Sequence, residues 1–590
     1  NNLYRQLRNK YFSELCQDYE QSPRKFWSAI NGVTKRKPAK PKTSVEAETL
    51  NRYFHSIVHD PDASYNVPLG PVSSTDLESF ASVTIAEVEL HLLDLKPRKA
   101  PGPDNILPCL VKSAAYILAP SLAILFNASF SSGILPSTFK EANICPVLKS
   151  QRSDRSDPSQ YRPISLSSVI AKALEKVVLR QLQQLFDDKC PYHKDQYGFR
   201  RHHSTAQLVT KAVSQWTASR DTGHTTMIVF LDLSKAFDRV NHQCLLISLQ
   251  AKGIGGTALA WFASYLYDRR QKVTLPHATS RVLPVSRGVP QGTVLGPVLF
   301  NVYISHLPTI ADSFTCSLPM FADDMTLYRS APSLKLCIAS VIPCLNVLCD
   351  ELQKLHMMIN VKKSGVMIIS PGRNPTTHPS VISLQGEPLN FVTETRLLGI
   401  QVDNCLSWTK HIDVIVRKVS QKVGVLRRTF RQLSKLARRQ YILSVVLPDI
   451  LYCICSFVTL ITAKDHNRLV SVYNRAIRAA CGASSRDSIS GLLKNLDVKP
   501  LDYYFLVSTG KFIFINHILR PLPVFTSLFP APQSTRSTRN RDTHDIPYLK
   551  CRTTLGQKSF VLRAALFFNA LPNDLKSSLF TSQFDRGFKC

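Results

Sequence analysis

Between about residues 140 and 400 the chain alternates short, apolar, β-prone runs with helix-like stretches, and this limits the fold more than any other feature. The runs are ICPVL, MIVFLDL, SLPMF with MTLY, and VMIIS. Alternation of this kind indicates an α/β or α+β domain. Upstream, Thr84-Ile-Ala-Glu87 has the form of a capping box, and Ile85, Val88, Leu92 and Leu95 follow as a helical stripe. That helix is predicted to end at KPRKAPGPDNI (96–106), where proline and glycine force irregular backbone. After 408 the period becomes helical, with Ile412, Ile415, Val416, Val419, Val423 and Leu426 on one face.

Charge narrows the class of partner. Lys and Arg outnumber Asp and Glu by 73 to 42, a formal net charge of +31. On a folded chain of 590 residues, long enough for several domains, such an excess points to a polyanion, most often nucleic acid. Between 410 and 439 there are ten Lys or Arg and one acid, Asp413. A solvated helix face is the usual meaning of a charge run, but this imbalance favours a surface that tracks phosphates. The best membrane candidate, ILYCICSFVTLITA (450–463), is too short to span a bilayer and is expected to be a buried core helix. The fifteen cysteines lack metal-ligand spacing and are expected to be reduced, mostly buried thiols, with the same bland reading for His202-His203. No signal peptide is evident and the first residue is Asn1, so the chain reads as a fragment or as part of a polyprotein.

Two short stretches carry chemistry. FADDMTLY (321–328) sets Asp323 and Asp324 side by side, where desolvation is costly. A polar hairpin tip explains them as well as a divalent metal site does. MIVFLDLSKAFDRV (227–240) is an apolar strand that ends at Asp232 and passes into a helix, placing a further carboxylate at a strand end. Three carboxylates on two neighbouring strands suit Mg²⁺, which takes oxygen ligands and substrate phosphates. Two such ions about 4 Å apart can activate a hydroxyl and stabilise a leaving oxygen.

At this point the chain resembles the reverse transcriptases of non-LTR (LINE-type) retrotransposons over roughly 80–430. The resemblance rests on RKAPGPDNI (98–106), PVLK (146–149), QYRPISL (160–166), QYGFRRHHST (196–205), FLDLSKAFDRVNH (230–242), RGVPQGTVLGPVLF (287–300), FADD, INVKKS (359–364) and RLLGIQVD (396–403), in that order. It implies an α+β right-hand polymerase fold of fingers, palm with an antiparallel sheet and helical thumb, with a mostly helical C-terminal segment. The expected organisation is a basic helical lead-in and linker over 1–75, fingers and palm over 76–400, a basic thumb over 401–470, and a C-terminal segment over 471–590 with a role in nucleic-acid binding.

The resemblance implies Asp232, Asp323 and Asp324 as catalytic metal ligands, for two Mg²⁺ ions with Mn²⁺ as a substitute. Phe237 matches the aromatic steric gate, whose ring leaves no room for a 2′-hydroxyl. A core phenylalanine is the plain alternative, and both can hold. Gln291 and Gly292 resemble the segment against the incoming nucleotide and template, where glycine allows close approach. Lys149 and Arg162 match the residues that hold the triphosphate. Lys363 matches a lysine near the leaving pyrophosphate, and Arg200 a contact to template or nucleotide. Arg417, Lys418, Lys422, Arg427 and Arg428 are the expected nucleic-acid contacts of the thumb. The implied activity is RNA-directed DNA synthesis by nucleotidyl transfer of dNTPs onto a primer 3′-hydroxyl at a nicked target. Template RNA and primer DNA are the partners, no membrane is involved, and the setting is nucleus and cytoplasm as a ribonucleoprotein. The alternative is a catalytically inactive or domesticated copy that binds RNA. The box begins with Phe321 where relatives more often have tyrosine, a change that leaves metal binding untouched. The endonuclease of many relatives has no counterpart in 1–80, and neither a ribonuclease H set of acids nor a zinc knuckle is legible.

Overall fold

A computed structural model describes residues 45–59, 76–150, 153–372, 382–384, 386–519 and 551–570. The lead-in to 44, residues 60–75, and residues 520–550 and 571–590 of the C-terminal segment lie outside the described residues.

The helices used below are α1 (Ala47–Val58), α2 (Ile85–Leu93), α3 (Ala115–Ser132), α4 (Val169–Asp188), α5 (Thr205–Asp221), α6 (Gly296–Tyr303), α7 (Leu334–Lys354), α8 (Thr409–Thr429) and α9 (Ala463–Cys481). The strands of the first sheet are β1 (Glu141–Leu148), β2 (Tyr161–Leu166), β4 (Arg269–Leu275), β5 (Ala278–Thr279) and β6 (Leu283–Val285). β1 pairs antiparallel with β2 and parallel with β4. A second sheet is built on β3 (Thr225–Asp232), with β7 (Met320–Phe321) and β8 (Asp324–Ala331) on one side and β9 (Gly365–Ile369) on the other. β3 pairs antiparallel with both β8 and β9.

β3 explains why the second sheet forms where it does. Its side chains alternate between two cores: Met227, Val229 and Leu231 enter one, and Ile228 enters the other. β8 divides the same way, with Met325 and Leu327 opposite Tyr328. A strand buried on both faces must be apolar throughout, which is why MIVFL shows no polar alternation. Each aliphatic side chain so buried stabilises the fold by about 1.5–3 kcal/mol. α7 covers one face of the sheet and α5 contacts β3 from the other. The fold class is α+β with an antiparallel central sheet, as expected.

Local expectations fared unevenly. Both reciprocal hydrogen bonds of the Thr84–Glu87 capping box form at the start of α2. Val88, Leu92 and Leu95 are buried, whereas Ile85 faces outward. α8 buries Ile412, Ile415, Val419, Val423 and Leu426. The run 450–463 is buried but is not one helix: helix 447–451 ends there, Cys453 turns left-handed (φ +51°), and a 3₁₀ turn spans Ile454–Ser456. Its side chains fill the space beside α5 and helix 501–513, a job that needs irregular backbone. α3 and α7 are long and apolar enough to cross a bilayer by length and composition, yet each buries one face in the first core.

Within the span 1–75, expected as a helical lead-in and linker, the described part is α1, and it is a packed helix. Leu50, Phe54, Ile57 and Val58 form a small core with Ile144, Tyr161 and Val273 of the first sheet. Its apolar period, Ala47, Leu50, Phe54, Ile57, pays out only against strands distant in sequence.

Candidate active site

Asp232 ends β3 and Asp324 begins β8, and the two are direct cross-strand partners. Directly opposed residues hold their Cβ atoms about 5 Å apart, so two carboxylates meet at the open end of the sheet. Asp323 lies in the two-residue loop between β7 and β8, where Phe321 pairs with Asp324 and Met320 with Met325. Ala322 has φ +57° and Asp323 a negative φ, the φ pattern of a type II′ turn. Glycine is usual at that first position, so Ala322 holds a strained conformation that the surroundings must enforce.

They do so through the QYGFR segment. The Met320 N–H donates to the Asp195 carbonyl (2.7 Å) and the Tyr197 N–H to the Met320 carbonyl (2.9 Å). Gly198 then lies so close that a Cβ there would stand 2.3 Å from the Ala322 nitrogen. Beneath it, Asp195 accepts from the buried Lys211 ammonium at 2.5 Å, and Asn301 Nδ2 donates to the Gly198 carbonyl at 2.6 Å.

The three acids repel one another. Partial burial, then the Asp323 and Asp232 charges, push the Asp324 carboxyl up to about 6. Burial, with Asp232 adding, also raises Asp323. Among the described residues no three carboxylate, imidazole or thiol groups converge tightly enough to clasp an ion as they stand. The Lys363 ammonium instead sits 3.4 Å from Asp232. Two carboxyls, Asp323 and Asp324, raised by burial and then by neighbouring negative charge, beside an Asp232 that draws in an ammonium, make a donor set that a divalent cation fits.

A cleft of about 740 Å³ opens beside Asp232 and Asp323. Lys149, Arg162, Phe237, Gln291, Gly292 and Lys363 all line it. Phe237 is stacked on Phe300 (4.4 Å between ring centres) and meets Phe199 edge-on at 6.0 Å, so its ring is both a wall and a packed side chain. Gln291 and Gly292 are clamped from three elements. The Ser165 N–H donates to the Gln291 carbonyl (2.7 Å) and Gln291 Nε2 to the buried Asp238 (2.9 Å). The buried Glu175 accepts the N–H groups of Val294 (2.6 Å) and Leu295 (3.1 Å) at the start of α6. Gly292 has φ +112°, and a Cβ there would meet the Ser165 carbonyl oxygen at 2.7 Å, so only glycine fits. Burial lowers the Lys149 ammonium's pKa, and the charges of Lys235, Lys363 and Arg162 lower it further, which marks this wall as crowded with cations.

A second cleft, also about 740 Å³, lies on the other side of the hairpin. Asp323 and Asp324 face α8 across it, with Arg396, His411, Lys418, Asp449 and Tyr452 among its walls.

Not every expected contact falls in these clefts. Arg200 donates to the His193 carbonyl (3.2 Å) and lies over the Tyr192 ring, so it is tied into the scaffold. Lys422 is held by Asp449 and the Val445 carbonyl, both at 2.6 Å. Arg417 and Arg428, at about 100° per residue, project within about 20° of each other, but Arg427 points about 180° from Lys418. The five thumb cations therefore do not form one surface, because the helical period spreads them around the exposed side of α8. Gly198, Asp238 and Glu175 were missed at the sequence level. Gly198 alone carried a signal, a glycine set between aromatic residues where backbone has to pass close.

Residues 148–402 match the family described as reverse transcriptase (RNA-dependent DNA polymerase). The chain is 29% identical to the probable RNA-directed DNA polymerase from transposon BS of Drosophila melanogaster, over 67% of this chain and 44% of that protein. It is 25% identical to the RNA-directed DNA polymerase from mobile element jockey of the same fly, over 86% of this chain and 57% of that one. It thus spans about half the length of these curated relatives. The solved structure of a Candida tropicalis telomerase, bound to a fragment of telomeric RNA, aligns with a TM-score of 0.35 and 12% identity over 70% of this chain and 68% of that chain.

Proposed function

Since residues 148–402 are a reverse transcriptase domain like those of non-LTR retrotransposons, we propose that the chain is an RNA-directed DNA polymerase that extends a primer 3′-hydroxyl with dNTPs on an RNA template. One observation carries the reading: all six residues singled out for nucleotide binding, with Asp232 and Asp323, line a single cleft.

In this reading Asp232, Asp323 and Asp324 hold divalent ions, Mg²⁺ in the first instance and two in number. Such ions supply charge neutralisation at the attacking and leaving oxygens. The primer 3′-hydroxyl gives up its proton to solvent, and its oxygen bonds to the α-phosphorus as the bond to the pyrophosphate oxygen breaks. Lys149 and Arg162 offset the charge of the triphosphate, and Lys363, released from Asp232, delivers a proton to the departing pyrophosphate. Phe237, braced by Phe300, closes the space a 2′-hydroxyl needs. The second cleft, with Lys418, receives the primer–template duplex. Fingers and palm extend to about 400 and take in α1, the thumb spans 401–470, and 471–590 contribute nucleic-acid contacts. The setting is a ribonucleoprotein in cytoplasm and nucleus that primes on a nicked target.

Primer extension on an RNA template with Mg²⁺, given dNTPs or NTPs, tests this directly. Extension with dNTPs alone, lost on chelation and in Asp323→Ala and Asp324→Ala, is expected. Tight RNA binding without extension would make the chain an RNA-binding module instead.

A further inference from the structure

α1 lies upstream of the matched reverse transcriptase domain, yet it walls the nucleotide cleft. Tyr53, Phe54 and Ile57 line the same space as Asp232 and Phe237. The helix is fixed there at several points. The Val58 carbonyl accepts from the N–H groups of Ser286 (3.1 Å) and Arg287 (3.0 Å), and the Ile57 carbonyl accepts from Arg287 Nε (2.9 Å). Near its other end Asn51 Nδ2 donates to the Arg281 carbonyl (2.8 Å), and Glu48 pairs with Arg281 (2.9 Å). Phe54 is 1% exposed.

Opposite α1, between Asp232 and Phe237, stands Lys235. Its backbone is left-handed (φ +53°), uncommon for lysine and held by the 3₁₀ turn Ala236–Arg239 that follows. Its ammonium lies 4.7 Å from the centre of the Tyr53 ring. The other cationic side chains differ in what they face. Lys363 pairs with Asp232, and Lys149 donates to the Ser159 carbonyl at 2.8 Å. Among the described residues no carboxylate pairs with Lys235, although it is exposed and close enough to perturb both Lys149 and Asp238. A cation held on an aromatic face, unpaired, beside two carboxylates and two further cations, lacks only an anion.

We propose that Lys235 contacts the triphosphate of the incoming nucleotide, and that Tyr53 is its positioning residue, so that α1 completes the nucleotide site. This rests on the polymerase reading above. Electrostatics favour it: a cation–π contact orients an ammonium without neutralising it, so the full charge stays available to phosphate.

The test uses the full chain, an RNA template and a DNA primer, with KM for dNTP and kcat measured separately. Lys235→Gln is expected to raise KM about tenfold, as befits loss of a charged hydrogen bond, with kcat little changed. Tyr53→Leu should raise it about fivefold. Tyr53→Phe and Lys235→Arg, which keep ring and charge, should stay within about twofold. The double variant Tyr53→Leu, Lys235→Gln should be no worse than Lys235→Gln alone, because the two act as one unit. Inhibition by added pyrophosphate should weaken in parallel.

Unchanged KM in Lys235→Gln, with an active wild type, overturns the inference and leaves the polymerase reading standing. A second measurement needs no turnover: the dNTP concentration that holds a chain-terminated primer–template on the protein against heparin, with calcium as the metal. If the wild type binds dNTP there but fails to extend an unblocked primer with Mg²⁺, and Lys235→Gln does not bind it, the contact stands and the polymerase reading falls. If the wild type binds no dNTP, both fall.

Discussion

Gly198→Ala is the most informative single change, because it reaches the carboxylates without touching them. A Cβ at this position would stand 2.3 Å from the Ala322 nitrogen, and contacts under 3.0 Å essentially never occur. The two backbones must therefore part by 3.0 − 2.3 = 0.7 Å at least, and by 3.4 − 2.3 = 1.1 Å for ordinary contact. Gly198 cannot easily give way, since Asn301 Nδ2 holds its carbonyl and Tyr197 is bonded to Met320. The yielding part is the turn at Ala322 and Asp323, already strained at φ +57°. Misplacing a reacting group by about 1 Å costs on the order of 100-fold in rate. Overpacking of this kind also costs about 1–3 kcal/mol of stability. Single-nucleotide extension should therefore show kcat down about 100-fold. KM for dNTP should hold within about threefold, because Lys149, Arg162 and Phe237 sit on other elements. Denaturant unfolding of the same preparation separates the two effects. A variant with wild-type kcat would refute the idea that Gly198 sets the position of the hairpin.

Two further outcomes follow from the site. Phe237→Val removes the ring proposed as the gate against a 2′-hydroxyl and should reduce discrimination between dNTP and NTP by roughly 10- to 100-fold, read as the ratio of kcat/KM values. Asp238 is buried and its carboxyl is pushed up to about 6, chiefly by desolvation. The folded state then binds more protons than the unfolded one between about pH 4 and 6, so stability falls as pH rises through that window, by up to about 3 kcal/mol. Asp238→Asn keeps an acceptor for Gln291 and should make the slope shallower than the wild type's in urea titrations at pH 4.5 to 7, the raised Asp324 carboxyl supplying part of the remainder.

How much of this was legible in the sequence depends on whether a feature is local. ICPVL, MIVFLDL, MTLY and VMIIS fall within or overlap β1, β3, β8 and β9; β3 and β9, buried on both faces, betray themselves by composition, whereas half-buried β1 is marked by its short apolar run. SLPMF overreached, since only Met320 and Phe321 are strand and the rest pairs through an isolated bridge at Ser317. The capping box was legible because both of its hydrogen bonds close within four residues. The gathering of Lys149, Arg162, Gln291 and Lys363 around Asp232 followed from the ordered resemblance; no spacing rule supplied it. The packing of α1 was not legible because its partners, Ile144, Tyr161 and Val273, lie far along the chain. The partners of Arg200 and Lys422 were not legible because sequence shows a charge but not the carbonyl or carboxylate that claims it. Glu175 and Asp238 were invisible for the complementary reason: acids on amphipathic segments normally face water, and these two face backbone and amide N–H groups.

Asp323 is the residue that the two clefts share. Whatever neutralises its charge from one side changes what a polyanion meets on the other, and such coupling is reciprocal. Occupancy of the second cleft therefore alters how tightly the first holds an anion, by the same factor in each direction: a cation held at Asp323 strengthens that hold, and a polyanion without one weakens it.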